Sequence, residues 1–204
     1  MTTLLISDLH LDAAHPAIAE QLLAFLAREA RSSDGLYILG DLFEAWLGDD
    51  DPDPAARAVI AALRRLVDGG VPCFILHGNR DFLIGERFCR ETGATLLDDG
   101  TIAERLGRHV LLMPGDRLCT DDVSYQRLRR IVRHPFVRWV FGRLGLAQRR
   151  AIARRLRAGS RKHVGMTAPE IMDVNAAAVS QAFRSSGVDT LIHGHTHRPA
   201  VHEL

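Results

Sequence analysis

The sequence predicts an α/β layered fold, and three observations carry that prediction. Short apolar runs alternate with stretches whose apolar residues recur at helical spacing. The runs themselves are continuously apolar, the pattern of strands buried on both faces. Four of them end abruptly in Asp, Asn or His, and in open α/β sheets the ligand site lies beyond the carboxyl ends of the strands.

Taken in order, the first strand covers Thr3 to His10 and presents Asp8 and His10 at its end, two residues apart and so on one side of an extended backbone. Pro16 to Arg31 places Ile18, Leu22, Phe25 and Leu26 on one helical face. Leu36-Tyr37-Ile38-Leu39 is a short buried strand ending in Gly40-Asp41. Pro54 opens a helix with Val59, Leu63, Leu66 and Val67 on its apolar side, stopped by Gly69-Gly70. Cys73 to Leu76 is a third buried strand, leading into His77-Gly78-Asn79-Arg80-Asp81. The middle is more β-like: Thr95 to Leu97, Thr101 to Leu106, a turn at Gly107, then His109 to Met113 before Pro114-Gly115-Asp116. Helical patterns flank Gly142 to Gly145, another helix is expected from about Pro169 to Ser185, and Val188 to Ile192 is a last strand ending in His193-Gly194-His195-Thr196-His197.

Composition narrows the class. A chain of 204 residues, 47% hydrophobic and 25% charged, is one globular domain with a sizeable insertion. Leu4, Leu5 and Ile6 are too few for a signal-peptide core, and no stretch approaches the roughly 18 apolar residues of a membrane span. Cys73, Cys89 and Cys119 are odd in number and widely spaced, which reads as buried free thiols in a cytosolic protein. Charge is uneven: from Val123 to Pro169 there is no Asp or Glu, while thirteen Arg or Lys fall between Arg127 and Lys162. Apolar residues such as Phe136, Trp139, Val140 and Phe141 interleave them. That stretch reads as a nucleic-acid surface, as an amphipathic membrane-surface element, or as a solvated helical face over a core stripe.

The strand ends bring together Asp8 with His10, Asp41, Asn79, and His195 with His197. Carboxylate, amide and imidazole without any Cys argue against a structural zinc site and suit an octahedral Mn or Fe ion with open water positions. A shared carboxylate such as Asp41 is able to bridge two ions about 3.5–4 Å apart, the arrangement that activates a water and neutralises a phosphoryl group.

Asp8-Leu9-His10, Gly40-Asp41, Gly78-Asn79-Arg80-Asp81 and Gly194-His195-Thr196-His197 together resemble the calcineurin-like metallophosphoesterase superfamily over nearly the whole chain. The resemblance implies an αββα sandwich with a dinuclear centre. Asp8, His10 and His197 would hold the first metal, Asn79 and His195 the second, and Asp41 would bridge. Many relatives carry His directly after the Asn to protonate an alkoxide leaving group. Arg80 stands there instead, and it clamps phosphate through its planar fork but donates no proton near neutral pH. Such a site fits a leaving group that is already a stable anion.

The longer blocks, from Gly40 to Asp51, His77 to Phe82, Leu118 to Asp122 with Tyr125, Ile171 to Asn175 and Ile192 to Pro199, resemble the UDP-2,3-diacylglucosamine diphosphatase family of lipid A biosynthesis. That resemblance implies metal-activated water attack on the α-phosphorus, usually with manganese, releasing UMP and a diacylglucosamine 1-phosphate. Catalysis would rest on Asn79, Arg80 and His195, and Asn79, Arg80, Asp122, Tyr125, Ser160 and His195 would meet the nucleotide-activated glycolipid. The Arg-rich stretch, about 123–168, becomes a helical lid that binds acyl chains and touches the anionic cytoplasmic face of the inner membrane, with no nucleic acid and no obligate protein partner.

The sequence departs from this family in three places. Pro114 stands where a metal-binding His is expected, leaving the second metal Asp41, Asn79 and His195. In the lid, Val164 and Thr167 occupy positions of usual polar or lysine contacts. The chain stops at Leu204, a few residues past His197, where relatives continue through further strands, so a C-terminally truncated sandwich is expected. Three functions compete: the nucleotide-lipid diphosphatase, active or attenuated; a metallophosphoesterase acting on another phosphoester or nucleic acid; and a decayed, non-catalytic scaffold.

Overall fold

The computed structural model describes residues 2–51, 54–104, 108–166 and 171–203, the side chains of 161–166 excepted. The strand end expected at Leu106, the turn at Gly107, the helix start at Pro169, the side chain of Val164 and Thr167 lie outside these described residues. Four parallel strands form one sheet in the order β1 (Thr3–Ile6), β2 (Gly35–Ile38), β3 (Cys73–Leu76), β4 (Thr95–Leu97). The second sheet has the order β5 (Thr101–Ala103), β6 (Val110–Met113), β7 (Leu191–His193), with β5 antiparallel and β7 parallel to β6.

The continuously apolar strands are explained by layers on both faces. In β2, Leu36 and Ile38 face a core shared with Leu22, Leu26, Val59, Leu63 and Phe88, contributed by helices α1 (Pro16–Ala27), α2 (Pro54–Asp68) and α3 (Glu86–Thr92). Tyr37, between them, points the other way and packs with Phe74, Leu76, Val110 and Leu112 between the two sheets. Leu112 is fully buried there, and Leu112→Ala would cost about 2–5 kcal/mol through lost transfer energy and an unfilled cavity.

Three helices, α4 (Val123–Val132), α5 (Pro135–Arg143) and α6 (Leu146–Met166), form the Arg-rich stretch. They are followed by α7 (Ala176–Ser186), whose Val179, Ala182 and Phe183 pack with Leu111, Met113 and Leu191 on the outer face of the second sheet. Helices, sheet, sheet and helix make the expected αββα sandwich.

Several elements differ from the sequence reading: β1 ends at Ile6 rather than His10, α1 ends at Ala27 rather than Arg31, and three others shift. Helix α3 has no counterpart there: it is only seven residues long, and its start at Gly85 is held by Asp49, which accepts from the backbone N–H groups of Gly85, Arg87 and Phe88 (3.0, 3.0 and 3.1 Å). Helix α7 starts at Ala176, because the Asn175 side chain caps it, accepting from Ala177 and Ala178 N–H. The last strand is Leu191–His193, set by its register with Leu111–Met113, while Val188 packs into the α7 cluster.

Candidate metal centre

Strand β1 stops at Ile6, so Asp8 and His10 do not share one side of an extended backbone as expected. Both have left-handed backbone (φ 57° and 48°), and so do Asp41 (53°), His195 (80°) and His197 (53°). These five are the non-glycine residues with positive φ among the described residues, and each such turn is strained. The strain is held by cross-links between strand ends. Asp8 N–H donates to Gly40 O (3.3 Å), His10 N–H to Asp41 O (3.0 Å), and both Asp8 carboxylate oxygens accept from His195 N–H (2.9 Å), joining the first sheet to the second.

Close backbone approach makes this possible. A Cβ on Gly78 would lie 2.2 Å from Asp41 N, and one on Gly194 would lie 2.6 Å from Asp8 Oδ2, so neither position admits a side chain. Under them lies Asp81, with no exposed surface, accepting from the N–H groups of Gly78 (2.8 Å), Asp41 (3.3 Å) and Leu42 (2.8 Å). Burial, with the adjacent Asp41 charge, pushes the Asp81 carboxyl up to about 7.

The six expected ligands fall into two groups. Asp8, His10 and His197 offer ligand atoms that all lie within 4.8 Å of one another, and the two Nε2 atoms of the imidazoles are 3.1 Å apart. One cation placed among three such donors would satisfy all of them, so these residues fit a metal. Burial holds the His10 pKa below its ordinary value, which keeps the imidazole neutral and free to ligate. Beside this group, the Asn79 amide abuts the Asp41 carboxylate, to which its nitrogen would donate only with the amide turned over (2.5 and 3.0 Å), and His195 Nδ1 is 3.9 Å from Asp41 Oδ2. Burial opposes charge on His195, but hydrogen bonding to Asp41 and Cys119 outweighs it and pushes the pKa up to about 10. The same negative field favours a bound cation.

A cavity of about 520 Å³ opens over both groups. It is lined by the sequence-predicted His10, Asp41, Asn79, Arg80, Asp122, Tyr125, Ser160, His195 and His197, and also by Glu44, Cys119 and Asp173. Asp122 is the N-cap of α4, accepting from Tyr125 N–H (2.9 Å). The Tyr125 hydroxyl donates to Asp116 Oδ2 (2.9 Å) while its ring leans against His195 (centroids 5.9 Å apart).

Asp116, which the sequence marks only as part of a turn, is fully buried. It accepts from Arg129 Nε (2.8 Å) and Arg133 Nη2 (3.1 Å), and Arg133 also donates to Gly78 O (2.8 Å). Burial alone would raise this carboxyl, but Arg133 and Arg129 hold it below the usual carboxylate range. In the middle of the insertion, at the start of α6, the buried Arg149 donates to Leu47 O and Asp50 Oδ1, both at 2.7 Å. Helices α4 and α6 of the insertion are thus each tied to loops that follow the strands of the candidate centre. Pro114 is buried at the end of β6, and the pairing of Met113 with His193 sets it beside Gly194, next to His195. Glu44, Asp81 and Asp116 escaped sequence reasoning, because only tertiary pairing distinguishes them from surface acids.

A model of the calcineurin-like phosphoesterase family matches residues 1–199, and the chain belongs to that family. A UDP-2,3-diacylglucosamine hydrolase of Salmonella arizonae is 57% identical over 204 residues, covering 100% of this chain and 85% of that protein. Proteins with the same name from Salmonella paratyphi B and Escherichia coli O7:K1 are 56% and 55% identical with the same coverage. A solved nuclease of Pseudomonas putida aligns with 49% of the chain at 25% identity and a TM-score of 0.39.

Proposed function

We propose that this chain hydrolyses the pyrophosphate bond of UDP-2,3-diacylglucosamine, releasing UMP and 2,3-diacylglucosamine 1-phosphate in lipid A biosynthesis. The observation that carries this reading is the likeness, over all 204 residues, to hydrolases named for that substrate, in a chain that keeps Arg80 directly after Asn79 in the site cavity.

Asp8, His10 and His197 would hold one divalent ion and Asp41, Asn79 and His195 a second, with Asp41 between them. Such ions, manganese in this reading, supply Lewis-acid charge to the phosphoryl oxygens and make water acidic enough to attack at neutral pH. The protein's own groups orient the reaction. Arg80 clamps the diphosphate with its planar fork, and the departing sugar 1-phosphate leaves as an anion that needs no proton. Asp122, Tyr125 and Ser160 lie on the cavity wall where the nucleotide or sugar would contact them.

The insertion acts as a lid in this reading. Phe136 and Trp139 are 64% and 54% exposed on α5, with Arg143 stacked over the Trp139 ring (3.6 Å), a combination suited to acyl chains and an anionic bilayer surface. No helix among the described residues is long and apolar enough to cross a membrane. In this reading the contact is peripheral, at the cytoplasmic face of the inner membrane. The deciding assay is UMP release from UDP-2,3-diacylglucosamine with Mn²⁺ added, beside an aryl phosphodiester and single-stranded DNA. Hydrolysis of the diphosphate alone is expected. Cleavage of the DNA or the aryl ester in its place would overturn the proposal, and no hydrolysis of any of the three would favour a non-catalytic scaffold.

A further inference from the structure

The loop after β2 brings one carboxylate against three functional groups. Glu44 Oε2 lies 3.4 Å from His10 Nδ1, Glu44 Oε1 lies 3.1 Å from Arg80 Nη1, and the same oxygen lies 3.9 Å from Arg157 Nη1 on α6. The Glu44 N–H donates to Leu11 O (3.0 Å), which fixes the residue close to His10. His10 Nδ1 is one of two buried side-chain polar atoms without a hydrogen bond among the described residues. Its other nitrogen, Nε2, is the one that faces His197.

An imidazole that ligates through Nε2 carries its proton on Nδ1, and a carboxylate accepting that proton fixes both tautomer and ring orientation. The Glu44 carboxylate is placed to do this. Its second oxygen lies between two guanidinium groups, one from the core loop and one from the insertion. There it offsets their mutual repulsion where an anionic diphosphate must enter. We propose that Glu44 is a positioning residue that orients His10 toward the first metal through one oxygen and sets Arg80 and Arg157 for the diphosphate through the other. This rests on the reading of the site as a diphosphate hydrolase, but only in its second half.

Two variants separate the halves. Glu44→Gln keeps an acceptor for His10 Nδ1–H and removes the charge, while Glu44→Ala removes both. Mn²⁺ binding without substrate, followed by calorimetry and electron paramagnetic resonance, should weaken by about 10-fold or more in Glu44→Ala and stay near the unaltered protein in Glu44→Gln. KM for the UDP-lipid should rise about 10-fold in both, for want of a charged partner to the two Arg groups. Circular dichroism and melting identify any variant that has simply unfolded, and Glu44→Asp then serves as the partial rescue. Unchanged Mn²⁺ affinity in a folded Glu44→Ala overturns the His10 half, and unchanged KM in Glu44→Gln overturns the guanidinium half. If the unaltered chain hydrolyses no UDP-lipid, the functional reading fails while the Mn²⁺ titration still decides the role toward His10.

Discussion

Pro114→His isolates the weakest point of the proposed dinuclear centre. The first group has three converging side chains, Asp8, His10 and His197. The second has Asp41, Asn79 and His195, and the strand end beside it carries a residue with no side-chain donor. Register decides where a replacement would reach. Met113 pairs with His193, so residue 114 runs beside Gly194, and the two chains come so close that a Cβ on Gly115 would lie 3.0 Å from His195 Cβ. An imidazole at 114 therefore starts one residue from His195 and at the same end of the sheet.

The magnitude follows from counting donors. Loss of an outer-sphere partner weakens a metal site by about 10–100-fold, and gain of an inner-sphere imidazole should do at least the upper end of that range in reverse. A 100-fold gain is about 2.8 kcal/mol. Losing proline costs about 0.4–1 kcal/mol through the unfolded chain. The variant should therefore melt slightly lower without metal and higher with saturating Mn²⁺. Titration of Mn²⁺ should give one tight ion and one weak ion in the unaltered chain and two tight ions in Pro114→His, with faster UMP release. Equal stoichiometry, affinity and turnover in the two proteins would refute the reasoning.

Three other outcomes are expected. Asp116→Ala should destabilise the fold by about 3–5 kcal/mol, because it leaves Arg129 and Arg133 without their buried partner. The Asp116 pKa is depressed on folding, so its contribution is present above the unfolded value of about 3.9 and is lost as pH falls through the folded one; the melting gap between the proteins should narrow in acid. Arg149→Ala should cost about 1–3 kcal/mol by leaving Leu47 O without its partner, with hydrogen exchange faster in α6 and unchanged in β1 to β3. Phe136→Ser with Trp139→Ser should lower binding to anionic vesicles by about 10-fold or more, since each ring contributes about 1.5–3 kcal/mol when buried in the acyl boundary, and binding that ignores anionic lipid would sink the membrane reading.

Much of the first sheet is legible because its strands are buried on both faces. Cys73–Leu76 needs no tertiary knowledge: four apolar residues that follow Gly69-Gly70-Val71-Pro72 and run into His77-Gly78 have the length and composition of a buried strand. The second half is less legible where tertiary pairing overrides the local pattern. Val188 to Ile192 has strand composition, but the backbone partners offered by β6 begin at Leu111, opposite Leu191. Helix α3 has too few turns for a periodic signal, and its stabilising contact, the Asp49 carboxylate, is 36 residues away from Gly85.

The candidate metal centre divides along the same line. Its expected ligands stand out in the sequence because each polar group follows an apolar run. The carboxylates that hold those ligands in place carry no such mark. Asp81 pins three N–H groups beneath Asp41, and Asp116 ties α4 to the carbonyl of Gly78 through Arg133. Five ligand-type residues adopt left-handed backbone, a conformation each would leave if unsupported. The buried acids and the two close-approach glycines offset that strain. A chain that kept every ligand but lost Asp81 would keep the motif and lose its geometry, which is why the motif alone does not define the site.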